Sequence, residues 1–207
     1  MFRRVVSILS AIFLALAILL VSLSRASSVN YAFSASFAET LGESTEMSIN
    51  YVLPFPGRIL PDHPLWSLKA LRDKLWLVVT VNPSRRGELL LLFSDKRLAS
   101  SKILFEKDKP EIAFSALSKG EKYLEQAASI EEENRKKGID TREFLTKLAN
   151  SSLRHRQVIN EILAIAPEDA KPEIIKIENY SRDVYKASRD ALNSLGMPAP
   201  ENPFNGD

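Results

Sequence analysis

Cysteine is absent from this chain of 207 residues, and histidine occurs only twice and glycine seven times. Without cysteine there is no disulfide, no thiolate metal site, no cysteine nucleophile and no lipid-modified amino-terminal cysteine. No serine lies in a G-x-S-x-G or S-x-x-K context, and no glycine-rich phosphate loop is present. The sequence therefore predicts a protein that is not an enzyme and that carries no cofactor.

A basic excess is also missing once the amino terminus is set aside. The formal net charge is +2, but Arg3, Arg4 and Arg25 all precede the first acidic residue, Glu39. Without these three cations, 25 of the 28 basic side chains stand against 26 acidic ones. A protein that binds a nucleic-acid duplex needs a basic face to neutralise phosphates, so we expect no nucleic-acid partner.

One uncharged run is long enough to cross a membrane. Arg3 and Arg4 precede this run, which begins at Val5 and ends at Leu23. The pattern predicts a helix that crosses the cell membrane once. Its amino terminus would lie inside the cell, and all residues after the helix would lie outside the cytoplasm. Small residues at the positions read by a signal peptidase leave open cleavage after Ala26 or Ser34, which would release a secreted protein.

Prolines dominate the segment that follows a polar stretch rich in Ser, Ala and Glu. Four prolines fall within residues 54–64, which we call the strap. Proline fixes φ and biases the residue before it to extended geometry, so the strap is predicted to be extended and not helical. Apolar Phe55, Ile59 and Leu60 indicate that it lies against another part of the protein.

Beyond the strap, prolines and glycines divide the chain into five predicted helices, which makes the expected fold all-α. The first three helices are predicted from Pro64 to about Thr80, from Pro83 to near Lys107 and from Pro110 to about Lys137. The fourth begins at a capping box, Asp140-Thr141-Arg142-Glu143. The fifth begins at Pro167, or later because of Pro172, and ends at Gly196. Short joints favour antiparallel neighbours, with helices two and three in one hairpin and helices four and five in another.

Each predicted helix carries a stripe that is expected to pack in the bundle. The stripes are Leu65, Leu68, Leu71, Leu75 and Val79 in the first helix; Leu89, Leu92, Phe93, Ala99 and Ile103 in the second; Ala113, Ala116, Leu117, Gly120, Leu124 and Ala127 in the third; Leu145, Leu148, Ser152, His155, Ile159 and Ile162 in the fourth; and Ile174, Ile177, Ser181, Val184, Ser188, Ala191 and Leu195 in the fifth. The small residues of the third helix would allow another helix to approach closely.

These features predict a linear organisation. It consists of a transmembrane helix or signal peptide at residues 1–26, a linker at 27–48, the strap with three helices at 49–137, a helical hairpin at 138–196 and a disordered tail at 197–207.

Four short blocks resemble the pattern of an uncharacterised bacterial family of unknown function. The pattern runs Y-x-L-P-[YF]-P-G, then L-P-D-x-P-L, then L-K-x-L-R-D, then a helix containing [RK]-L-A. The blocks are Tyr51-Val-Leu-Pro-Phe-Pro-Gly57, Leu60-Pro-Asp-His-Pro-Leu65, Leu68-Lys-Ala-Leu-Arg-Asp73 and Ser94-Asp-Lys-Arg-Leu-Ala99, within roughly residues 51–128. The resemblance implies a helical protein outside the cytoplasm, often anchored in the membrane, and it supplies no catalytic residue.

The two histidines are the strongest candidates for a chemical site. An exposed His63 beside Asp62 has the chemistry of a metal ligand or general base, although Asp62 or His63 as the cap of the first helix is the simpler interpretation. For His155, on the stripe of the fourth helix, an interhelical hydrogen bond is favoured over metal binding. A metal or small-ligand site would need His63 and His155 together.

The remaining interpretation is a membrane-tethered module that binds a protein partner, as a scaffold or as a sensor in the cell envelope. The contact residues would be Phe55, Asp62, His63, Leu65 and Trp66 around the strap. Packing of Trp66, Trp76 and Leu77-Val78-Val79 in the core is favoured over their insertion into the outer leaflet. The sequence leaves self-association open, and a purely structural spacer is a third interpretation.

Overall fold

The structure is a computed structural model that describes residues 49–204. The predicted membrane anchor, with Arg3, Arg4 and the run from Val5 to Leu23, lies outside the described residues, as does the predicted linker 27–48. Within residues 49–204, no helix combines the length and the apolar character that a membrane crossing requires.

Five helices and no strand are found in this part of the chain, which confirms the all-α prediction. They are α1 Trp66–Val79, α2 Pro83–Glu106, α3 Pro110–Lys136, α4 Arg142–Ile165 and α5 Lys171–Ser194. The second starts as predicted, because Asn82 Oδ1 accepts a hydrogen bond of 3.1 Å from Arg85 N and Pro83 occupies the first helical position. Gly138 and Gly196, with φ of 78° and 70°, follow the ends of α3 and α5.

The predicted capping box at the start of α4 is wrong. Thr141 occupies the cap position without a side-chain capping bond, and its hydroxyl donates to Glu131 Oε1 at 2.7 Å. Asp140 Oδ1 accepts from the backbone N–H of Arg142 at 3.2 Å. The hydroxyl therefore joins the start of α4 to the end of α3. The fifth helix takes the later of its two predicted starts, with Pro172 in its first turn.

The bundle is built from two antiparallel hairpins that share one interior. Helix α2 packs on α3 and α4 packs on α5, and the hairpins meet through α3 against α5 and α2 against α4. The small-residue stripe of α3 is buried as predicted, and a Cβ at Gly120 would lie 3.3 Å from both Arg97 Cβ and Ser94 O. Ser94 Oγ donates to Gly120 O at 2.8 Å across this close approach.

The stripes of the other bundle helices are largely confirmed. All six predicted stripe positions of α4 are buried, as are six of the seven of α5, since Leu195 is exposed. In α2 only Leu89 and Phe93 of the predicted set are buried. Other side chains of the same helix, Leu90, Leu91, Leu98, Leu104 and Phe105, complete its share of the core.

Two expectations about the periphery are wrong. The leucine stripe of α1 does not enter the core: Leu65, Leu68, Leu71, Leu75 and Val79 are all exposed. The tail is packed as far as residue 204, because Tyr185 Oη donates to Pro200 O at 2.8 Å and the Arg156 guanidinium lies 4.3 Å from the Phe204 ring centroid. Four helices supply most of the buried core, and α1 lies against it through Trp76 and Leu77 instead of through its leucine stripe.

Candidate functional site

The strap and the residues just before it run without helix or strand to the start of α1. Lys69 Nζ, on α1, donates to Pro56 O at 2.9 Å and to Ile59 O at 2.8 Å. Leu60 is buried. These contacts hold the strap against α1, so that the two form one surface.

The five predicted contact residues divide into two groups. Phe55 and Leu65 are exposed, with 66% and 53% of their surface accessible. Asp62 pairs with Lys109 Nζ at 2.6 Å, and His63 Nδ1 accepts from Leu65 N at 3.1 Å, in a turn just before α1. Trp66 is half-buried, with Lys69 Nζ 5.0 Å above its ring. Only Phe55 and Leu65 therefore present a free apolar side chain.

Helix α1 turns both apolar and charged groups towards the bundle. Trp76 lies edge-on to Phe93, with 6.1 Å between the ring centroids, and Leu77 packs against the core. The one buried residue of the helix is Asp73, which accepts a 2.6 Å hydrogen bond from Arg72 Nη2. At about 100° per residue, Lys69, Asp73 and half-buried Trp76 share one side of the helix. The pKa values of Lys69 and of Lys96 on α2 are both lowered, because the effect of burial outweighs the opposing effect of the Asp73 charge. The interface between α1 and the bundle is therefore partly ionic.

The opposite side of α1 is apolar and open to solvent. We call this surface the α1 apolar face; it consists of Leu65, Leu68, Leu71, Leu75, Val78 and Val79, each between 42% and 74% exposed. Of the fourteen exposed large hydrophobic side chains among the described residues, nine fall between residues 52 and 81. Single exposed apolar residues are ordinary, but a cluster of this kind marks an interaction surface.

Positive charges border the α1 apolar face. Arg72 and Lys74 are exposed on its two sides, by their positions around the helix. From residue 63 to residue 87 the only acidic residue is Asp73, which is buried. Exposed Arg85 and Arg86 follow at the start of α2. The outer surface of this stretch thus combines apolar side chains with cations and exposes no carboxylate.

A buried polar cluster lies inside the bundle. It consists of Tyr51, Asp95, Glu121, Ser151 and His155. His155 is fully buried, with Nδ1 2.6 Å from Glu121 Oε1 and Nε2 2.9 Å from Asp95 Oδ1. Ser151 Oγ donates to Asp95 Oδ1 at 2.9 Å, and Tyr51 Oη donates to Asp95 Oδ2 at 2.6 Å. The cluster therefore joins α2, α3 and α4 to the segment that leads into the strap.

The imidazole of His155 is held in its protonated form. Burial lowers its pKa, but the charge of Glu121 and hydrogen bonds to Asp95 and Glu121 outweigh that effect and raise the pKa to about 9. Both ring nitrogens then donate. Burial and the adjacent Asp95 raise the pKa of Tyr51 far above its usual value, so its hydroxyl stays a donor.

The prediction that His155 forms an interhelical hydrogen bond is confirmed. Its partners, Asp95 and Glu121, were not predicted from the sequence. Both could have been found by the same signal, a polar residue at a core position. Glu121 follows Leu117 by four residues and precedes Leu124 by three, and Asp95 lies in the same way between Leu91 and Leu98.

The paired-histidine hypothesis gains no support from this geometry. Within the described residues, no group of three or more His, Asp or Glu side chains is arranged to hold a metal ion. Both nitrogens of His155 are engaged, and His63 lies at the surface in its own turn. Two surface grooves, one beside Trp66 and one between α3 and α5, are lined by neither histidine.

Replacing Tyr51 with phenylalanine tests how the strap is held. We expect the free energy of unfolding to fall by about 1.5–3 kcal/mol, because the variant leaves Asp95 Oδ2 buried without its donor. Limited proteolysis should then cut the strap faster than in the wild type. As the control, Tyr180→Phe on α5 should leave strap cleavage unchanged, and equal cleavage in all three proteins would show that Tyr51 does not hold the strap.

Comparison with protein-family models gives one match, to the domain of unknown function DUF5667, over residues 58–169. No curated protein and no solved structure matches the chain. The matched region runs from the strap through α4 to the turn before α5, and includes Asp95, Glu121 and His155. Because it covers more than half of the 207 residues, the chain belongs to the DUF5667 family.

Proposed function

We propose that this protein is a non-catalytic docking module, tethered to the membrane outside the cytoplasm, that binds through the α1 apolar face. The proposal combines the predicted amino-terminal anchor with the surface described above. The four-helix bundle supports the strap and α1, which together form the binding surface.

The observation that carries the proposal is the exposed apolar stripe of α1. A helix at the surface of a soluble domain ordinarily turns its apolar stripe inward and its charges outward. Here Asp73 is buried and six apolar residues of the α1 apolar face are exposed. Burying a Leu or Val side chain fully contributes about 1.5–3 kcal/mol, so covering this face would be strongly favourable.

The way in which α1 is held also favours docking. Lys69 joins α1 to the strap, and Tyr51, just before the strap, is bonded to Asp95 in the interior. The face is therefore already formed before a ligand arrives, and little ordering entropy is lost on binding. A structural spacer would need only length and helicity, and would not need an apolar outer surface.

Cysteine labelling in intact cells tests the proposal, because the natural chain has no cysteine that would react. Leu71→Cys reports on the α1 apolar face, and Glu173→Cys reports on an exposed position of α5. With a membrane-impermeant maleimide, we expect Leu71→Cys to react about tenfold more slowly than Glu173→Cys, which corresponds to about 1.4 kcal/mol of docking free energy. The two rates should converge in the unfolded protein.

Two results would contradict the proposal in different ways. Equal rates in intact cells would show that the α1 apolar face is uncovered, so docking through it would be wrong. Labelling of Glu173→Cys only after the membrane is permeabilised would place the domain inside the cell, and the outward orientation would be wrong.

A further inference from the structure

We infer that the α1 apolar face docks onto an anionic lipid surface, with α1 lying parallel to the membrane. The inference rests on the proposed docking function and names its occupant. It concerns α1 itself, which is distinct from the predicted membrane-crossing segment at residues 5–23.

The arrangement of side chains around α1 matches the demands of a lipid interface. Such helices place an apolar arc in the boundary between headgroups and acyl chains, with Lys and Arg on the polar side. Leu68, Leu71 and Leu75 lie at the centre of the exposed arc, and Arg72 and Lys74 border it. Long cationic side chains at these positions can keep their charges at the phosphates while their stems cover apolar surface.

The polar groups on the inner side of α1 need no water, because partners on α1 itself and on the strap already satisfy them. Asp73 bonds to Arg72, and Lys69 bonds to the carbonyls of Pro56 and Ile59. The helix can therefore lie between the bundle and the lipid without leaving these groups unpaired. Its 14 residues span about 21 Å, so several side chains could enter the interface together.

Charge selects anionic lipid as the occupant. Lys74 and Arg86 are exposed, and Arg72 and Arg85, which are also exposed, pair with Asp73 and Glu88. Each Lys or Arg near an anionic membrane surface contributes about 1 kcal/mol in attraction, or about fivefold in the binding constant. An uncharged protein surface would not use these cations.

A second copy of the chain fits this surface less well. In a symmetric dimer the same patch faces itself, so Arg72 and Lys74 of one protomer would approach the same cations of the other. Asp73 is buried and already paired with Arg72 of its own chain, so it is not available to a second protomer. Juxtaposed like charges oppose such an association.

The predicted linker brings the surface within reach of the membrane. Residues 27–48 separate the predicted anchor from the start of the described fold. Fully extended, these 22 residues would span at most about 75 Å, at about 3.4 Å each. The tether keeps the α1 apolar face at a high effective concentration near the lipid, so that even weak docking is populated.

The test uses the full chain reconstituted in vesicles of phosphatidylcholine and phosphatidylglycerol. An environment-sensitive nitrobenzoxadiazole group is attached to Leu71→Cys or, as the control, to Glu173→Cys, and a nitroxide on the acyl chains serves as quencher. We expect a blue-shifted emission from the Leu71 position that loses roughly half of its intensity to the quencher, as for a side chain 5–10 Å into the interface. The Glu173 position should show neither effect.

A charge variant separates anionic attraction from apolar insertion. In vesicles with phosphatidylglycerol, Lys74→Gln/Arg86→Gln should lower the ratio of docked to undocked protein about 25-fold, from about fivefold for each cation. In phosphatidylcholine alone it should have little effect. The matched control, Lys122→Gln/Lys147→Gln, removes two exposed cations from α3 and α4 and should behave as the wild type in both.

The outcomes distinguish this inference from the proposed function. If Leu71→Cys is protected in intact cells but its label remains in water on these vesicles, a protein covers the face; docking is retained and lipid binding is wrong. A blue-shifted label that the nitroxide does not quench, with crosslinked dimers, would identify a second copy as the occupant and overturn lipid binding. A label exposed to water in both settings would overturn both proposals.

Discussion

Replacing His155 with glutamine should lower the free energy of unfolding by about 3–5 kcal/mol, the cost of removing one partner from a buried ionic group. Among the described residues, His155 is the only positive charge bonded to both Asp95 and Glu121, and all three side chains are buried. In the same part of the chain, Glu121 Oε2 has no hydrogen-bond partner. Without the imidazolium, two carboxyl groups would remain close together in a medium of low dielectric constant.

Urea unfolding of the full chain in a mild detergent, followed by circular dichroism, measures this effect. His63→Gln is the matched control, since it replaces the other histidine of the chain at an exposed position. We expect that control to stay within about 0.5 kcal/mol of the wild type. A triple variant, His155→Gln with Asp95→Asn and Glu121→Gln, removes all three charges and should recover part of the stability. A loss below 1 kcal/mol for His155→Gln would contradict the ionic role of this residue.

The helix boundaries were predictable because they depend on neighbouring residues. Asn82 and Pro83 start α2 through a cap and a fixed φ, and Gly138 follows the end of α3 in a conformation with positive φ. The small-residue stripe of α3 was predictable for a similar reason, since residues three and four apart share one face of a helix. Thr141 departs from its local pattern because Glu131, ten residues earlier, competes for its hydroxyl.

The orientation of α1 could not be predicted from its own sequence. Periodicity shows that Leu68, Leu71 and Leu75 share a face, but it does not show what that face contacts. Whether a stripe is buried depends on the room left by the other helices, and α1 contacts this core through Trp76 and Leu77 instead of through its leucine stripe.

The buried polar cluster was only half visible in the sequence. His155 stood out as a polar residue on an apolar stripe, but its partners lie 34 and 60 residues away along the chain. Such pairings depend on the register between helices, which local patterns do not specify. The docked tail is a similar case, because the contact of Phe204 with Arg156 depends on the folded position of α4.

The interior and the surface are connected through Tyr51. Its hydroxyl bonds to Asp95 in the buried polar cluster, and the strap that follows is bonded to Lys69 of α1. Loss of the cluster should therefore free the strap and loosen α1 as well as destabilise the bundle. In this arrangement the buried polar cluster supports the docking surface by helping to fix the position of α1, which also contacts the apolar core through Trp76 and Leu77.

Stability should also fall at alkaline pH, by about 3 kcal/mol between pH 6 and pH 9.5. Folding raises the pKa of His155 from 6.5 to about 9, so the folded state binds the proton more tightly than the unfolded state. The resulting stabilisation is fully present below pH 6.5 and is lost as the pH rises through 9. A shift of about 2.5 units corresponds to roughly 3 kcal/mol at 1.36 kcal/mol per unit.

Unfolding in urea at a series of pH values measures the loss, and the range ends below pH 10 to limit titration of tyrosine and lysine. His63→Gln should show the same fall as the wild type, whereas the triple variant, His155→Gln with Asp95→Asn and Glu121→Gln, should show a nearly flat profile because it carries none of the three charges. A wild-type profile as flat as that of the triple variant would mean that His155 is not held protonated by Asp95 and Glu121.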